Sequence, residues 1–260
     1  MNFPIFREKY KLPALLTAEQ MIEFRRRQGK LENFSAPRSV VLCLYNGVMK
    51  RFAWKYASHR VNGFLGDVYL LRQTHDRVGV LGNFGIGAPA ITSIAEEMMA
   101  WGTKRLLILS LAGGLQPDLE PGSMVVCDRA IRDEGTSYHY LPPQKDVSAS
   151  TKLVDAMAQA LNKDNLAFTT GATWSTDAPY RETREEAKQF QGEGVQAVDM
   201  ESAGLFAAAQ VRGAEAASVL IIGDSLAKPR WSAPPDMRAL HLKIEKVLDT
   251  LINVLDSFDD

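Results

Sequence analysis

Residues 195–224, VQAVDMESAGLFAAAQVRGAEAASVLIIGD, read as strand, helix, strand. Val195 to Val198 is a short apolar run. Asp199 stands where a helix N-cap offers its side-chain oxygen to an orphan backbone N–H. Met200 to Arg212 is rich in Ala and Leu, which favour helix, and Gly213 sits where a left-handed C-terminal residue is wanted. Ala217 to Ile222 is then a buried-strand run that stops at Gly223–Asp224. Two acids, Glu201 and Asp224, therefore lie just past the carboxyl ends of successive strands. In an open α/β sheet that is the edge where ligands bind.

The alternation continues outward. Ser39–Tyr45 (SVVLCLY), Val68–Leu71, Val78–Leu81, Leu106–Leu111, Ser123–Cys127 and Ala167–Thr173 read as strands. Ala90–Trp101, Thr151–Leu161, Arg184–Phe190 and Asp236–Leu255 read as helices. With no repeat or linker between them, the pattern predicts one α/β domain over 39–260, a three-layer αβα sandwich on a mixed, twisted central sheet. Residues 1–38 read as an N-terminal arm, in which Thr17 and Gln20 form a capping box for a short basic helix. Asn46–Gly47 reads as a turn. Residues 48–63, with Lys50, Arg51, Lys55, His59 and Arg60 among aromatics, read first as a surface strand pair with solvated charges, and second as an anion-binding lip.

Composition bounds the function. With 260 residues, 46% of them hydrophobic, the chain can bury a large core. A formal net charge of -1 argues against nucleic acid or an anionic membrane as the main partner. The two cysteines, Cys43 and Cys127, lie in strand-like runs and read as reduced core thiols of a cytoplasmic protein. MNFPIFREKYKLP at the N-terminus is too charged for a signal peptide, and no apolar run approaches the ~20 residues that span a bilayer. His139 has no partner histidine or cysteine at ligand spacing, so no metal is expected.

Glycines mark two further strand ends. GNFGIGAP (82–89) precedes a helix and reads equally as a tight turn with no ligand and as one that brings backbone close to a ligand, with helix N–H groups facing it. It is not the dinucleotide fingerprint, because Pro89 opens the helix and no third glycine follows at the right spacing. Gly113–Gly114 ends the strand from Leu106.

These stretches together resemble the nucleoside phosphorylase superfamily: purine nucleoside and uridine phosphorylases and methylthioadenosine nucleosidases. GIGAPA (85–90), LAGGLQPDLEPGSMVV (111–126), AIRDEGTSYHY (130–140), TWSTDAPYRE (173–182) and VDMES (198–202) with the strand ending in Gly223–Asp224 carry it. The resemblance implies cleavage of the bond between ribose and a nucleobase, through a ribosyl cation-like state. It assigns Glu201 to the ribose hydroxyls, Met200 to the sugar face, Asp224 to protonation of the purine N7, and Trp174 and Gly113 to the base. It also implies phosphate as co-substrate, no organic cofactor or metal, and a homo-oligomer, a dimer or trimer of dimers. Taken singly, Glu201 also reads as an acid favoured by a helix dipole, Asp224 as a turn residue and Trp174 as a core indole. Asp224, absent from pyrimidine-specific members at this place, favours a purine over uracil.

The chain departs from the family at the phosphate. Where relatives carry an Arg in the strand before the glycine pair, and a Ser or Thr three residues on, this chain has Ile108 and Leu111. The relatives' Gly-Asp-Pro-x-Arg turn is Tyr45-Asn-Gly-Val-Met-Lys50 here. Apolar side chains cannot hold a phosphate dianion. Three readings follow: a phosphorylase with a rebuilt anion site from Lys50, Arg51, Arg60 and Gly85; a nucleosidase that uses water; or a member that binds a nucleoside without turning it over.

Overall fold

The computed structural model describes residues 6–31, 34–227, 231 and 236–258, without the side chain of Arg51. The first five residues of the arm and the Arg51 side chain, one of the expected anion ligands, lie outside the described residues.

The core is a large mixed sheet with helices packed against it. β1 (Ser39–Cys43) is wholly buried and runs parallel to β4 (Val78–Gly82) on one side and β5 (Arg105–Gly114) on the other. β2 (Ser58–Val61) and β3 (Asp67–Leu71) extend the β4 edge as antiparallel strands. β10 (Glu215–Ser225) lies parallel to β5, and β6 (Met124–Asp133) is antiparallel to β10. β7 (Asp146–Ser148) and β8 (Thr169–Thr176) flank β6, and β9 (Ala197–Asp199) runs parallel to β8. β9 then pairs with β5 through Gly113–Val198 and Gly114–Ala197.

The expected open edge is thus closed: β5, β10, β6, β8 and β9 form a ring. Strand length is the reason. β1 reaches only to Leu109 of β5, so the last residues of the longer strand are free to take β9. Glycine is needed there, because a Cβ on Gly113 would lie 2.5 Å from Leu226 Cδ1 and 2.9 Å from Val198 Cγ1.

The helices are α1 (Ala18–Arg27), α2 (Asn46–Lys55), α3 (Ala88–Trp101), α4 (Thr151–Lys163), α5 (Arg184–Gly192), α6 (Ser202–Arg212) and α7 (Met237–Asp256). The expected capping box is formed at Thr17 and Gln20, and α1 lies against α3 through a two-bond pair between Arg25 and Glu97 at 2.6 and 2.7 Å. One expectation is overturned. Residues 46–55 are a helix, not a turn leading into a strand pair, because Val48, Met49, Phe52 and Tyr56 fall on one face and bury there.

α6 is apolar nearly all round, and Ser202 to Ala209 are all buried. Its close approach to α3 depends on Gly204, where a Cβ would come within 2.8 Å of Thr92 Oγ1 and 3.0 Å of Ala88 Cβ. Gly204→Ala is therefore expected to destabilise the fold by about 1–3 kcal/mol, read as a lowered denaturation midpoint. An unchanged midpoint means that the two helices separate freely.

Candidate active site

α3 and α6 begin at the same place. Gly87 is the N-cap of α3, and its φ of 92° is open to glycine and strained for other residues. Glu201 is the N-cap of α6, one step before the helix rather than inside its first turn. The Gly87 N–H donates to Glu201 Oε1 at 2.6 Å, and the Met200 N–H donates to Oε2 at 3.2 Å. Glu201 is only 4% exposed. Met200 is half-buried and reaches toward Gly87, its Cε 4.0 Å from where a Cβ on that glycine would lie. Gly85 has a φ of 100°, and a Cβ there would touch only Ala90 Cβ, at 3.8 Å. Gly85, Met200 and Glu201, expected from the sequence, are thus brought to one corner.

Two helix N-termini favour an anion at this corner. Burial acts against them, and the nearby charge of Asp199 adds to burial, so the Glu201 carboxyl is pushed up to about 7.

Asp199 was readable only as a helix cap. It does accept the Ser202 N–H at 2.9 Å and the Glu201 N–H at 3.3 Å, although the helix starts later than expected. Its wider role had no sequence signal, because its partners Ser175 and Ser202 come from different elements.

Asp224 ends β10 beside a bulge. The register shifts between Ile222 and Asp224, which places Asp224 opposite Gly113. Asp224 Oδ1 lies 3.2 Å from where a Gly113 Cβ would be, so these two expected residues also meet. The exposed Trp231 indole N–H donates to Asp224 Oδ2. Glu182, half-buried nearby, is pushed up to about 7 by burial and then by the charges of Asp224 and Glu186. Neither Trp231, seven residues beyond Asp224, nor Glu182, at the end of the 173–182 stretch, was expected here.

Other expected residues have partners of their own or lie exposed. Trp174 is 1% exposed; its indole N–H donates to Asp133 Oδ2 at 2.9 Å and its ring packs on Phe190. The ring is enclosed by these core neighbours, as the core-indole reading has it. Arg60 donates to Asp67, which also takes the Asn83 amide at 2.7 Å, so Arg60 is held on the β2–β3 edge. Lys50 is exposed on α2. His59 is engaged with Asp76 at 3.1 Å. Ile108 is wholly buried in β5. Among the described residues, no group of three or more His, Cys, Asp or Glu is placed to hold a metal ion. No helix there is long and apolar enough to cross a membrane.

The chain matches the model of the phosphorylase superfamily over residues 45–258. It is 33% identical over 146 residues to a guanosine phosphorylase of Halorubrum lacusprofundi, covering 55% of this chain and 59% of that protein. It is 27% identical over 178 residues to a DeoD-type purine nucleoside phosphorylase of Caldanaerobacter subterraneus, covering 66% of this chain and 74% of the relative. A uridine phosphorylase of Haemophilus influenzae is 26% identical over 149 residues, covering 52% of this chain and 59% of that protein.

The burial of Trp174 makes a separate claim. Trp174→Phe is expected to lose about 1–3 kcal/mol of stability by chemical denaturation. A loss near zero means that the indole is not packed as described.

Proposed function

The chain belongs to the phosphorylase superfamily, and from that premise we propose that it cleaves the N-glycosidic bond of a purine-type nucleoside by phosphorolysis, releasing the base and ribose 1-phosphate. The observation that carries this reading is the Glu201 carboxylate, buried, fixed by two backbone N–H groups and flanked by Met200. A carboxylate accepts about four hydrogen bonds, so two N–H donors leave room for two ribose hydroxyls. Such a preorganised anion stabilises the positive charge that builds on the sugar as the bond to the base breaks.

Asp224 is the group we assign to the departing base. Its half-buried place at the end of β10, against Gly113, supports contact with a ring nitrogen. Glu182 beside it holds its own proton up to about pH 7, so a proton source is at hand near neutrality. A purine fits this arrangement because N7 accepts a proton as the base leaves. The relatives' names span guanosine, purine and uridine phosphorylases, so the choice of base rests on Asp224 alone.

We take residues 39–260 as one domain with helices on both sheet faces and residues 1–38 as an arm. We also propose a homo-oligomer, supported by exposed Leu12, Leu15, Leu16 and Phe24 on the arm. Free, buried Cys43 and Cys127 suit a reducing, cytoplasmic setting.

Water as nucleophile is the second reading. It is favoured by the buried Ile108 in place of a strand arginine and by the engagement of Arg60 with Asp67.

Base release from inosine, adenosine, guanosine, uridine and methylthioadenosine, with and without phosphate, tests both readings. Purine release that requires phosphate and yields ribose 1-phosphate is expected; release indifferent to phosphate establishes hydrolysis. Glu201→Gln is expected to lower the rate more than tenfold, and an unchanged rate removes Glu201 from the mechanism. Asp224→Asn is expected to impair natural purine nucleosides far more than substrates with better leaving groups; equal losses make Asp224 structural.

Only ionised Glu201 accepts both sugar hydroxyls, and it ionises as pH rises through about 7. We therefore expect kcat/KM to fall as pH drops through that value, about tenfold per unit below it. A profile that stays flat down to pH ~5 excludes this role.

A further inference from the structure

We propose that Asp199 is a positioning residue that remains a buried anion, fixes the bend that aims Glu201, and sets the pH at which Glu201 ionises. This rests on the assignment of Glu201 above.

Asp199 is ringed by hydrogen-bond donors, which oppose the upward push of burial on its carboxyl. Its Oδ1 accepts the Ser175 hydroxyl at 2.6 Å and the Thr173 hydroxyl at 3.3 Å. Its Oδ2 accepts the Ser202 hydroxyl at 2.5 Å, the Ser202 N–H at 2.9 Å and the Glu201 N–H at 3.3 Å. The Ser175 and Ser202 hydroxyls and two backbone N–H groups already fill a carboxylate's capacity of about four, and the Thr173 hydroxyl is shared with the Ala197 carbonyl at 3.3 Å. The Ser202 hydroxyl is in turn bonded to Ser218 Oγ at 2.8 Å, so the network ties β8, β9, α6 and β10 together. Charged hydrogen bonds of this kind are what allow an anion to stay ionised without a cation.

Glu201 is served less well. It has two N–H donors against four on Asp199, so when this pair of acids takes up a proton, Glu201 receives it. The groups that face the pair are few. Asp199 bears on Glu201 from β9, while α3 presents only the Gly87 backbone N–H. On β6 the Cys127 thiol faces Asp199 and is held in its neutral form by burial first, then by the charges of Asp199 and Asp128. The backbone at Glu201, with φ −130° and ψ −35°, is neither strand nor helix, and the two N–H bonds to Asp199 hold it there. Without them the carboxylate would not stay on Gly87.

The consequence is functional. A sugar brings two hydroxyl donors to a Glu201 that is short of them, and binding then favours the ionised form. Asp199 raises the proton affinity of the empty site, so the sugar's donors make a larger difference than they would beside an ordinary carboxylate.

Asp199→Asn tests this by removing the charge at constant shape. The carboxyl carbon of Glu201, labelled with 13C and assigned by comparison with Glu201→Gln, is titrated by NMR in the ligand-free protein. In Asp199→Asn its midpoint is expected to fall by about one pH unit or more from the wild-type value. The acid limb of kcat/KM is expected to move with it to lower pH. An unmoved Glu201 midpoint in a folded variant overturns the proposal, as does an equal loss of rate at every pH, which marks a structural role alone. Where Asp199→Asn does not fold, Asp199→Ser retains an oxygen for the Ser202 N–H without the charge and is read in the same way. Because the NMR midpoint needs no turnover, a shifted midpoint in a protein that cleaves no nucleoside supports the coupling and rejects the enzymatic reading.

Discussion

The backbone contact between β5 and β9 at Gly113–Gly114 is the constraint on which the rest depends. It needs two residues without side chains at the end of a long strand, past the reach of β1. Once made, it closes five strands into a ring and sets the ends of β9 and β10 on either side of Gly113. Val198, the residue that meets Gly113, is followed at once by Asp199, Met200 and Glu201. Asp224 is registered against Gly113 by the bulge in β10. Both acids are therefore placed by one pair of glycines, and the placement is backbone geometry, which is stiffer than any side-chain arrangement. A bulge next to a site is a common way of turning one side chain off the regular alternation.

The helices add a second constraint of the same kind. α3 and α6 approach each other closely because Gly204 has no Cβ to collide with Thr92 and Ala88. Their N-termini then meet, and the Gly87 N–H of one reaches the carboxylate at the start of the other. Helix dipoles favour ionised Glu201, whereas burial and Asp199 disfavour it. The balance falls near neutrality, where a modest change in hydrogen bonding, such as the arrival of two hydroxyls, decides the charge.

Much of this was legible in the sequence, and what was missed follows a pattern. Local signals served well: the capping box at Thr17, the left-handed Gly213 and the strand runs of β1, β4 and β5 rest on near neighbours. Asn46–Gly47 misled, because that dipeptide is a strong turn signal, yet the buried positions 48, 49, 52 and 56 repeat with helical spacing and win by burial. Trp174 was assigned by family position, but its environment is set by Phe190 and Asp133, which no local pattern connects to it. The closure of the sheet was invisible for the same reason: it joins residues 113–114 to 197–198. Glu201 and Met200 lie beside the 82–89 turn, and Asp224 against Gly113; the glycines and acids at strand ends were legible one by one, while the contacts that join them were not.

The remaining tension is electrostatic. A phosphate dianion brought to this corner would approach Glu201 and Asp199, two buried carboxyl groups of its own sign. The strand positions that could have offset it are apolar, Ile108 wholly so. The N-terminus of α3 can contribute at most about 2 kcal/mol toward an anion, too little for a dianion stripped of water. Arg60 is bound to Asp67, which leaves Lys50, exposed on α2, and its neighbour Arg51 as the expected cations nearest in sequence to the end of β1. Phosphorolysis therefore demands cations that neither Ile108 nor the engaged Arg60 supplies, whereas water as nucleophile makes no such demand.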